Sequence, residues 1–288
     1  KCVDLHYFYK NNILLQKRSL SLLLIFFVCL FFNSNSFSKP IKDPKIIKEN
    51  LKKNMKVVKP DGKGPFPTII MFTGAGDPFW REGYANWMNW FKERGYVSII
   101  SDSAKSRNLT GKAMLGRKLM SPERSKEVFW IIEIIKHFNF VDKNNLALMG
   151  MSHGGDTVID SLVMSSEDSS YDLKGTKTVI AFYPGCRKPV FGVKVTKNFT
   201  YPWYQKNIPV IIFQGSDDAW VKVKLCQGVV ERQKKIGTPI EYHFYNKANH
   251  CFDESYSSPQ DSKCKYNKKF SDLAKKEVEK NLKNSFNN

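Results

Sequence analysis

The residues best suited to nucleophilic chemistry lie in the segment Gly150-Met151-Ser152-His153-Gly154. The apolar run LALMG leads into this segment and the amphipathic run GGDTVIDSLVM leads out of it, which predicts a strand, a tight turn and a helix. A serine at such a corner is lifted clear of the sheet, and the flanking glycines relieve the crowding of the turn. The helix N-terminus also favours negative charge that develops there. Ser152 is therefore the candidate nucleophile.

A serine hydroxyl needs a base to remove its proton, and the base needs a carboxylate to orient it. Both residue types follow Ser152, each in a loop after a predicted strand. Asp217 and Asp218 come after the strand Val210–Phe213, and His250 comes after the strand that ends at Tyr245. Since neighbouring parallel strands end at the same edge of a sheet, these loops can converge on the serine.

His250 is the preferred base because the other histidines after residue 38 are badly placed. His137 precedes the nucleophile on a predicted helix, His243 lies in mid-strand, and His153 is adjacent to Ser152 and cannot easily turn back onto its hydroxyl. The position of Asp217 and Asp218 in one loop leaves both open as the acid.

Stabilising a tetrahedral oxyanion requires two backbone donors. The first is predicted to be the N–H group of His153, which directly follows the nucleophile. The second is predicted from the loop Thr73-Gly74-Ala75-Gly76, which follows the apolar run TIIMF, with Ala75 as the expected donor. Glycines in this loop let the backbone approach a substrate. A plain turn is the alternative interpretation of the loop.

The elements that must position these residues alternate between short apolar runs and amphipathic stretches. Predicted strands are Thr68–Phe72, Tyr96–Ile100, Leu146–Met149, Thr178–Phe182, Val210–Phe213 and Ile240–Tyr245. Predicted helices are Tyr84–Arg94, Pro122–Phe138, Asp156–Met164, a segment that ends at Gln233, and Phe270–Leu282. Strands separated by helices indicate right-handed crossovers and a mostly parallel central sheet with helices on both faces. Together with the corner at Ser152, this pattern predicts the α/β-hydrolase fold.

Several segments between about Pro65 and Phe252 resemble the dienelactone hydrolase family of the α/β-hydrolases. They are Thr73–Gly76, where such proteins have His-Gly; Ser101-Asp102-Ser103 with Arg107, similar to "DSF…RG"; Phe182–Cys186, similar to "YPG"; Gly215–Asp218, similar to "GxxD"; and Ala248–Asp253, similar to "A.H.F". Each segment is short, and their joint occurrence in this order makes the resemblance specific.

The resemblance implies a triad of Ser152, Asp218 and His250, because the acid of the family stands three residues after the glycine of "GxxD". Arg107 and Tyr183 lie in two of the similar segments and are candidates to hold a substrate carboxylate or line the pocket. A structural ion pair and a core aromatic are the alternatives for them. The dienelactone-cleaving members use a cysteine nucleophile, so a serine at position 152 leaves the substrate open.

The first 38 residues differ in character from the rest of the chain. Lys17 and Arg18 precede Ser19–Phe32, an apolar run of about 14 residues, and a polar stretch then ends in Ser36-Phe37-Ser38. This is the pattern of a secretory signal peptide, and the run is short for a membrane span, which needs roughly 20 residues. We predict a signal peptide over residues 1–38, one domain over 39–288 with no stable span after cleavage, and a periplasmic or extracellular location. An uncleaved N-terminal anchor is the alternative.

Export changes the interpretation of the cysteines. Outside residues 1–38 the chain has an even number of them, which in an exported protein suggests disulfides. They are Cys186, Cys226, Cys251 and Cys264. Three pairings exist and the sequence does not choose between them; four reduced buried thiols are the alternative. Zinc is not expected, because no CxxC pair occurs.

The net charge is +19, of which residues 1–38 contribute four basic and one acidic residue, so the remainder carries +16. Lysines are spread along the chain among Asn and Ile, and no nucleic-acid-binding motif is found. The expected partner is a small-molecule ester, with no metal, cofactor or nucleic acid. The oligomeric state is left open.

The predicted function is hydrolysis of carboxylic esters through an acyl-enzyme. The same triad could instead transfer the acyl group to an alcohol or amine, or cleave an amide. A catalytically silent binding protein of the cell envelope with the same fold is a further alternative. Binding to a polyanion or a membrane surface through the basic charge is another.

Overall fold

The computed structural model describes residues 39–76, 81–110, 119, 121–186, 208–255 and 263–287. Ile41–Asn288 form one compact unit, and the other unit, Lys1–Pro40, consists almost wholly of residues outside this description. The predicted signal peptide lies outside the described residues.

A seven-stranded sheet forms the centre of the compact unit, with strand order β1-β3-β2-β4-β5-β6-β7. The strands are β1 (Met55–Val58), β2 (Phe66–Phe72), β3 (Val97–Ser101), β4 (Val141–Met151), β5 (Thr176–Phe182), β6 (Val210–Gly215) and β7 (Ile240–Tyr245). Among these strands β1 pairs antiparallel with β3, and the other neighbours pair in parallel.

Six α-helices occur in the described part of the chain. They are α1 (Pro44–Lys53), α2 (Glu82–Lys92), α3 (Ser121–Ile135), α4 (His153–Glu167), α5 (Val223–Lys235) and α6 (Lys268–Phe286). Buried residues of α3, α4 and α5 join one core cluster, and buried residues of α2 and α6 join another. Helices therefore cover both faces of the sheet, which confirms the predicted α/β-hydrolase fold.

Residues along β2 explain why the sequences of the central strands are continuous apolar runs. Ile70 and Phe72 belong to the core cluster with α3, whereas Ile69 and Met71 belong to the cluster with α2. Because both faces of the strand are covered, its sequence does not alternate between apolar and polar residues. The same arrangement explains why all five residues of β3 are buried.

The sequence did not predict the helix α1 or the strand β1. Only Ile47 and Leu51 are buried in α1, so its apolar stripe is narrow among the lysines. The strand β1 is short, lies at the edge of the sheet and is at most half-buried. Both elements therefore lack the apolar periodicity on which the prediction depended. All the predicted strands and helices are present, with bounds that shift by up to five residues.

Two disulfides join the four cysteines in one of the three possible pairings. Cys186 bonds to Cys226 and Cys251 bonds to Cys264, with a Cα–Cα distance of 5.0 Å in each pair. The first links the loop after β5 to α5, and the second holds the loop after β7.

No helix among the described residues is both long enough and apolar enough to span a bilayer.

Candidate active site

Ser152 occupies the corner between β4 and α4 with φ 53° and ψ −116°. Non-glycine residues rarely adopt positive φ, and such strain persists only where the surroundings enforce it. Here the N–H of Ser152 donates to the carbonyl of Phe182 at 2.8 Å, and its own carbonyl accepts from the N–H of Asp156 at 3.0 Å. The corner thus has the geometry of a nucleophile elbow.

Glycine is required at two positions of this corner because the backbone segments touch. A Cβ atom at Gly150 would lie 2.0 Å from the carbonyl oxygen of Gly154, and a Cβ at Gly154 would lie 2.1 Å from that of Phe72. Both distances are far below van der Waals contact. The glycines therefore let α4 begin directly against the end of β2.

His250 lies in the loop after β7, with 1% of its surface exposed. Its Nδ1 is 2.7 Å from Oδ2 of Asp218. The rings of Tyr183 and Trp220 contact the imidazole, with centroid distances of 4.3 Å and 4.7 Å. The Nε2 atom is buried and has no hydrogen-bond partner within the described residues. The imidazole is thus oriented at one nitrogen and available for a proton at the other.

The structure distinguishes the two neighbouring aspartates. Asp218 is buried, and its Oδ1 accepts from the N–H groups of Trp220 at 3.0 Å and Val221 at 3.2 Å. Its Oδ2 contacts His250 and also accepts from Nε2 of Gln214 at 3.1 Å. Asp217 is exposed, and its carboxylate accepts from the hydroxyl of Ser216 at 2.7 Å. Only Asp218 of these two contacts the histidine.

A continuous set of contacts links Ser152 to His250. Phe182, at the end of β5, accepts the hydrogen bond from Ser152, and the next residue, Tyr183, packs its ring against His250. The N–H of Tyr183 in turn donates to the carbonyl of Phe213 on β6 at 2.7 Å. Ser152, Asp218 and His250 therefore lie at one edge of the sheet, beyond the carboxyl ends of β4, β6 and β7, where α/β folds place their sites.

The loop after β2 approaches Ser152 closely. The Cβ position of Gly74 is 3.5 Å from Cβ of Ser152. The N–H of Gly74 donates to the hydroxyl of Tyr84 at 2.9 Å, so Ala75 remains the candidate oxyanion donor of this loop. Ala75 is half-buried and packs against Ala104 and Leu119.

His153, the other predicted donor, is the first residue of α4. The first N–H groups of an α-helix have no acceptor within the helix and project beyond its N-terminal end. The backbone direction of α4 therefore suits an anion beside Ser152.

A buried polar cluster supports Gly74 from the side of α2, and sequence reasoning did not identify it. The hydroxyl of Tyr84 accepts from Arg81 at 2.7 Å, and Arg81 also contacts Glu254 at 3.2 Å. Burial raises the pKa of Glu254 to about 7, against the opposing effect of Arg81. Burial likewise raises the pKa of Tyr84 and of Asp253. Nothing in the spacing of these residues marks them, since the cluster forms only when the loop after His250 packs on α2.

Arg107 and Tyr183 turn inward. Arg107 is 6% exposed, forms a close ion pair with Glu127 and donates to the carbonyl of Ser103 at 3.1 Å. Tyr183 is 1% exposed, and its hydroxyl is 3.4 Å from Glu254. Burial beside Asp253 raises the pKa of Tyr183 well above its usual value. These contacts are those of a structural ion pair and a core aromatic, the alternatives that the sequence left open for the two residues.

One group of possible metal ligands occurs in the described residues. Glu241 and His243 on β7 and Glu277 on α6 bring their ligand atoms within 4.8 Å of one another. Glu241 is largely exposed and 3.4 Å from His243, and Glu277 is 3.9 Å from Lys280. A solvated set of ion pairs accounts for this arrangement. None of its members belongs to the candidate site.

Comparison with family models shows that the dienelactone hydrolase family matches residues 54–286. No match was found among curated proteins.

Solved structures show the same fold at low sequence identity. A putative dienelactone hydrolase from Klebsiella pneumoniae is 13% identical, with a TM-score of 0.59 over 80% of this chain and 98% of that one. A dienelactone hydrolase-like promiscuous phosphotriesterase from metagenomic libraries is 12% identical, with a TM-score of 0.61 over 81% and 99%. Esterase 2 of Thermogutta terrifontis, phosphonylated by sarin, is 17% identical, with a TM-score of 0.53 over 78% and 89%.

Proposed function

The chain belongs to the dienelactone hydrolase family, and on that basis we propose that it is an exported serine hydrolase that cleaves carboxylic esters. Ser152 is the nucleophile, His250 the base and Asp218 the acid. The observation that carries the proposal is the buried contact of 2.7 Å between His250 Nδ1 and Asp218 Oδ2, with Nε2 left without a partner in the described residues.

The proposed reaction proceeds in two steps. Nε2 of His250 takes the proton of Ser152 as the hydroxyl oxygen attacks the ester carbonyl, and Asp218 stabilises the imidazolium that forms. The N–H groups of His153 and Ala75 stabilise the oxyanion, and the alcohol leaves with the proton of His250. Water then attacks the acyl-enzyme with His250 again as base, which releases the acid and restores Ser152.

The surroundings of His250 suit this role. A triad acid must hold one tautomer of the imidazole and remain ionised while the imidazole becomes charged. Asp218 accepts two backbone hydrogen bonds and one from Gln214 in addition to its contact with His250, so its carboxylate has a fixed orientation. The flanking rings of Tyr183 and Trp220 limit rotation of the imidazole.

The proposed substrates are small carboxylic esters. The family resemblance and the esterase named in the comparison support an ester carbonyl as the target. The nucleophile is a serine, where the dienelactone-cleaving members use a cysteine, so simple esters fit the proposal better than dienelactone.

Reaction with a fluorophosphonate probe tests the nucleophile. The protein should be labelled at Ser152, and Ser152→Ala should abolish both labelling and hydrolysis of p-nitrophenyl acetate. Ser161→Ala is the matched control, because Ser161 is a buried serine of α4 whose hydroxyl donates to the carbonyl of Val158 at 2.7 Å. It should label as the unmodified protein does.

Absence of labelling of the folded protein, or labelling that survives Ser152→Ala, would overturn the proposal. Adding an alcohol or amine acceptor to the same assay separates hydrolysis from acyl transfer. If the main product is the transferred ester or amide, the alcohol or amine, and not water, is the second substrate.

A further inference from the structure

Arg124, in the first turn of α3, is fully buried and was not identified from the sequence. Its guanidinium touches two separate parts of the candidate site. Nη1 donates to the carbonyl of Thr73 at 2.7 Å, and Nη2 donates to the hydroxyl of the same residue at 3.1 Å. Nη1 also lies 3.2 Å from Nδ1 of His153. One side chain thus contacts the loop after β2 and the residue after the nucleophile.

The contact with Arg124 determines the tautomer of His153. A guanidinium only donates, so Nδ1 of the imidazole must be the acceptor. Nε2 then carries the hydrogen and donates to the carbonyl of Leu119 at 3.1 Å. The imidazole is therefore neutral and held at both nitrogens, which limits movement of the first residue of α4.

The remaining contacts of Arg124 hold the guanidinium in place. Nε donates to the hydroxyl of Ser103 at 2.8 Å, and this hydroxyl donates to Glu127 at 2.6 Å. The carboxylate of Glu127 is 4.0 Å from Nε and also pairs with Arg107. Burial lowers the pKa of Arg124, and Glu127 opposes this effect. A buried cation with a rigid fork of donors and a buried counter-ion has little freedom to move.

Two of the residues that Arg124 contacts, Thr73 and His153, precede or carry the proposed oxyanion donors. His153 supplies one N–H itself, and Thr73 lies two residues before Ala75. Oxyanion donors act only within a narrow range of distances from the developing charge, so their relative position determines their effect. Arg124 has none of its own surface exposed and does not reach the substrate.

We propose that Arg124 is a positioning residue that sets the distance between the two donors of the oxyanion hole by binding Thr73 and His153 at once. This inference rests on the proposed function. It predicts that loss of the guanidinium weakens transition-state binding and leaves substrate binding nearly unchanged.

The principal variant is Arg124→Lys, which keeps the positive charge but cannot contact Thr73, Ser103 and His153 together. Its kcat for p-nitrophenyl acetate should fall by about 100-fold, the size of effect seen when one oxyanion donor is lost, while KM changes by less than about threefold. Inhibition by a trifluoromethyl ketone, which forms an oxyanion on the nucleophile, should weaken by the same factor as kcat/KM.

Ser125→Ala is the matched control for loss of stability. Ser125 is the next residue of α3, is fully buried and donates to the carbonyl of Thr157 on α4 at 2.8 Å. This variant should lower the midpoint of thermal unfolding and leave kcat and the inhibition constant within about twofold of the unmodified values.

Thr73→Val and Thr73→Ser provide a second, milder pair if Arg124→Lys does not fold. Valine removes the hydroxyl that Nη2 of Arg124 contacts, whereas serine keeps it. We expect Thr73→Val to lose more kcat than Thr73→Ser, with a parallel loss of trifluoromethyl ketone inhibition.

The outcomes separate the two proposals. If the unmodified protein neither hydrolyses the ester nor reacts with the fluorophosphonate, the hydrolase proposal fails and the positioning role falls with it. If the unmodified protein is active but Arg124→Lys, or Thr73→Val where the lysine variant does not fold, keeps the kcat and the inhibition of its control, only the positioning role is overturned.

Discussion

Asp217 and Asp218 have the same side chain at adjacent positions but different surroundings. The carboxylate of Asp218 is buried and accepts hydrogen bonds from Gln214, Trp220 and Val221 besides its contact with His250. Asp217 points to solvent, and its N–H donates to the carbonyl of Ala248 at 2.9 Å. The backbone of Asp217 therefore links the loop after β6 to the loop after β7, and its side chain takes no part in the contact with His250.

The first prediction compares these two aspartates. Asp218→Asn should lower kcat by about 10³- to 10⁴-fold, because an amide cannot stabilise the imidazolium and favours the wrong tautomer. Asp217→Asn should change kcat by less than about threefold, as expected for an exposed side chain. Steady-state hydrolysis of p-nitrophenyl acetate measures both. An equal loss in the two variants would contradict the assignment of Asp218.

Glu254 provides a residue-scale link between pH and stability. Its pKa is raised from 4.5 to about 7 in the folded protein, chiefly by burial. Between these values the folded chain holds the proton and the unfolded chain has lost it. The free energy of unfolding therefore falls as pH rises through this range.

The second prediction is that Glu254→Gln removes this component. Between about pH 4.5 and pH 7.5, the free energy of unfolding of the unmodified protein should fall by up to about 3 kcal/mol more than that of Glu254→Gln. One pKa unit corresponds to about 1.4 kcal/mol. Urea unfolding at a series of pH values measures it. Glu82→Gln, an exposed carboxylate on α2, is the control and should follow the unmodified protein. Identical slopes for Glu254→Gln and the unmodified protein would refute the prediction.

At the scale of elements, the loop after β7 carries His250 outside any helix or named strand, so contacts with other segments must hold the histidine in place. The disulfide Cys251–Cys264 begins at the next residue, and His250 itself forms a β-bridge with Cys264. The other disulfide, Cys186–Cys226, joins the loop after β5 to α5. The first is therefore expected to matter for activity as well as for stability.

The third prediction compares the two disulfides by double serine substitution. The separations of 13 and 40 residues predict losses of about 3 and about 4 kcal/mol in the free energy of unfolding for Cys251/Cys264 and Cys186/Cys226. Removal of Cys251–Cys264 should also lower kcat by on the order of 10- to 100-fold, because His250 loses its anchor. Urea unfolding and ester hydrolysis measure the two effects. An equal loss of kcat in both variants would argue against a specific role for Cys251–Cys264.

At the scale of the whole molecule, the two disulfides and the N-terminal sequence support the same proposal of export. Disulfides persist in oxidising compartments, and both bonded pairs lie in the domain that follows the predicted signal peptide. We accordingly propose that residues 1–38 are removed on export and that residues 39–288 act as a single domain.

The fourth prediction concerns this processing. N-terminal sequencing of the exported protein should begin at Lys39, and Lys17→Glu with Arg18→Glu should reduce export by reversing the charge of the n-region. Lys52→Glu with Lys53→Glu, an equal charge change in the exposed last turn of α1, is the control. An exported protein that still carries the apolar run Ser19–Phe32 would instead support the uncleaved anchor.

Much of the fold could be predicted because its signals are local. Apolar runs that alternate with amphipathic helices can be recognised from residues that are close in sequence. The structure confirms the mostly parallel sheet that this pattern indicates. The helix α1 and the strand β1, which the sequence did not predict, bury too few residues to produce a periodic pattern.

The sequence by itself determined the corner at Ser152 and the order of the candidate acid and base along the chain. Glycine spacing and the run of strand, turn and helix are properties of neighbouring residues, so they needed no knowledge of distant contacts. The sequence also restricted the acid to two residues and the disulfides to three pairings.

Only the tertiary structure decided which of these alternatives is realised. Asp218 meets His250 across 32 residues, and Arg124 meets Thr73 across 51. Arg107 turns away from the surface to pair with Glu127. Such contacts depend on how helices pack against the sheet, since burial and distance, and not residue type, determine whether a charged side chain binds substrate, orients a catalytic group or neutralises another charge.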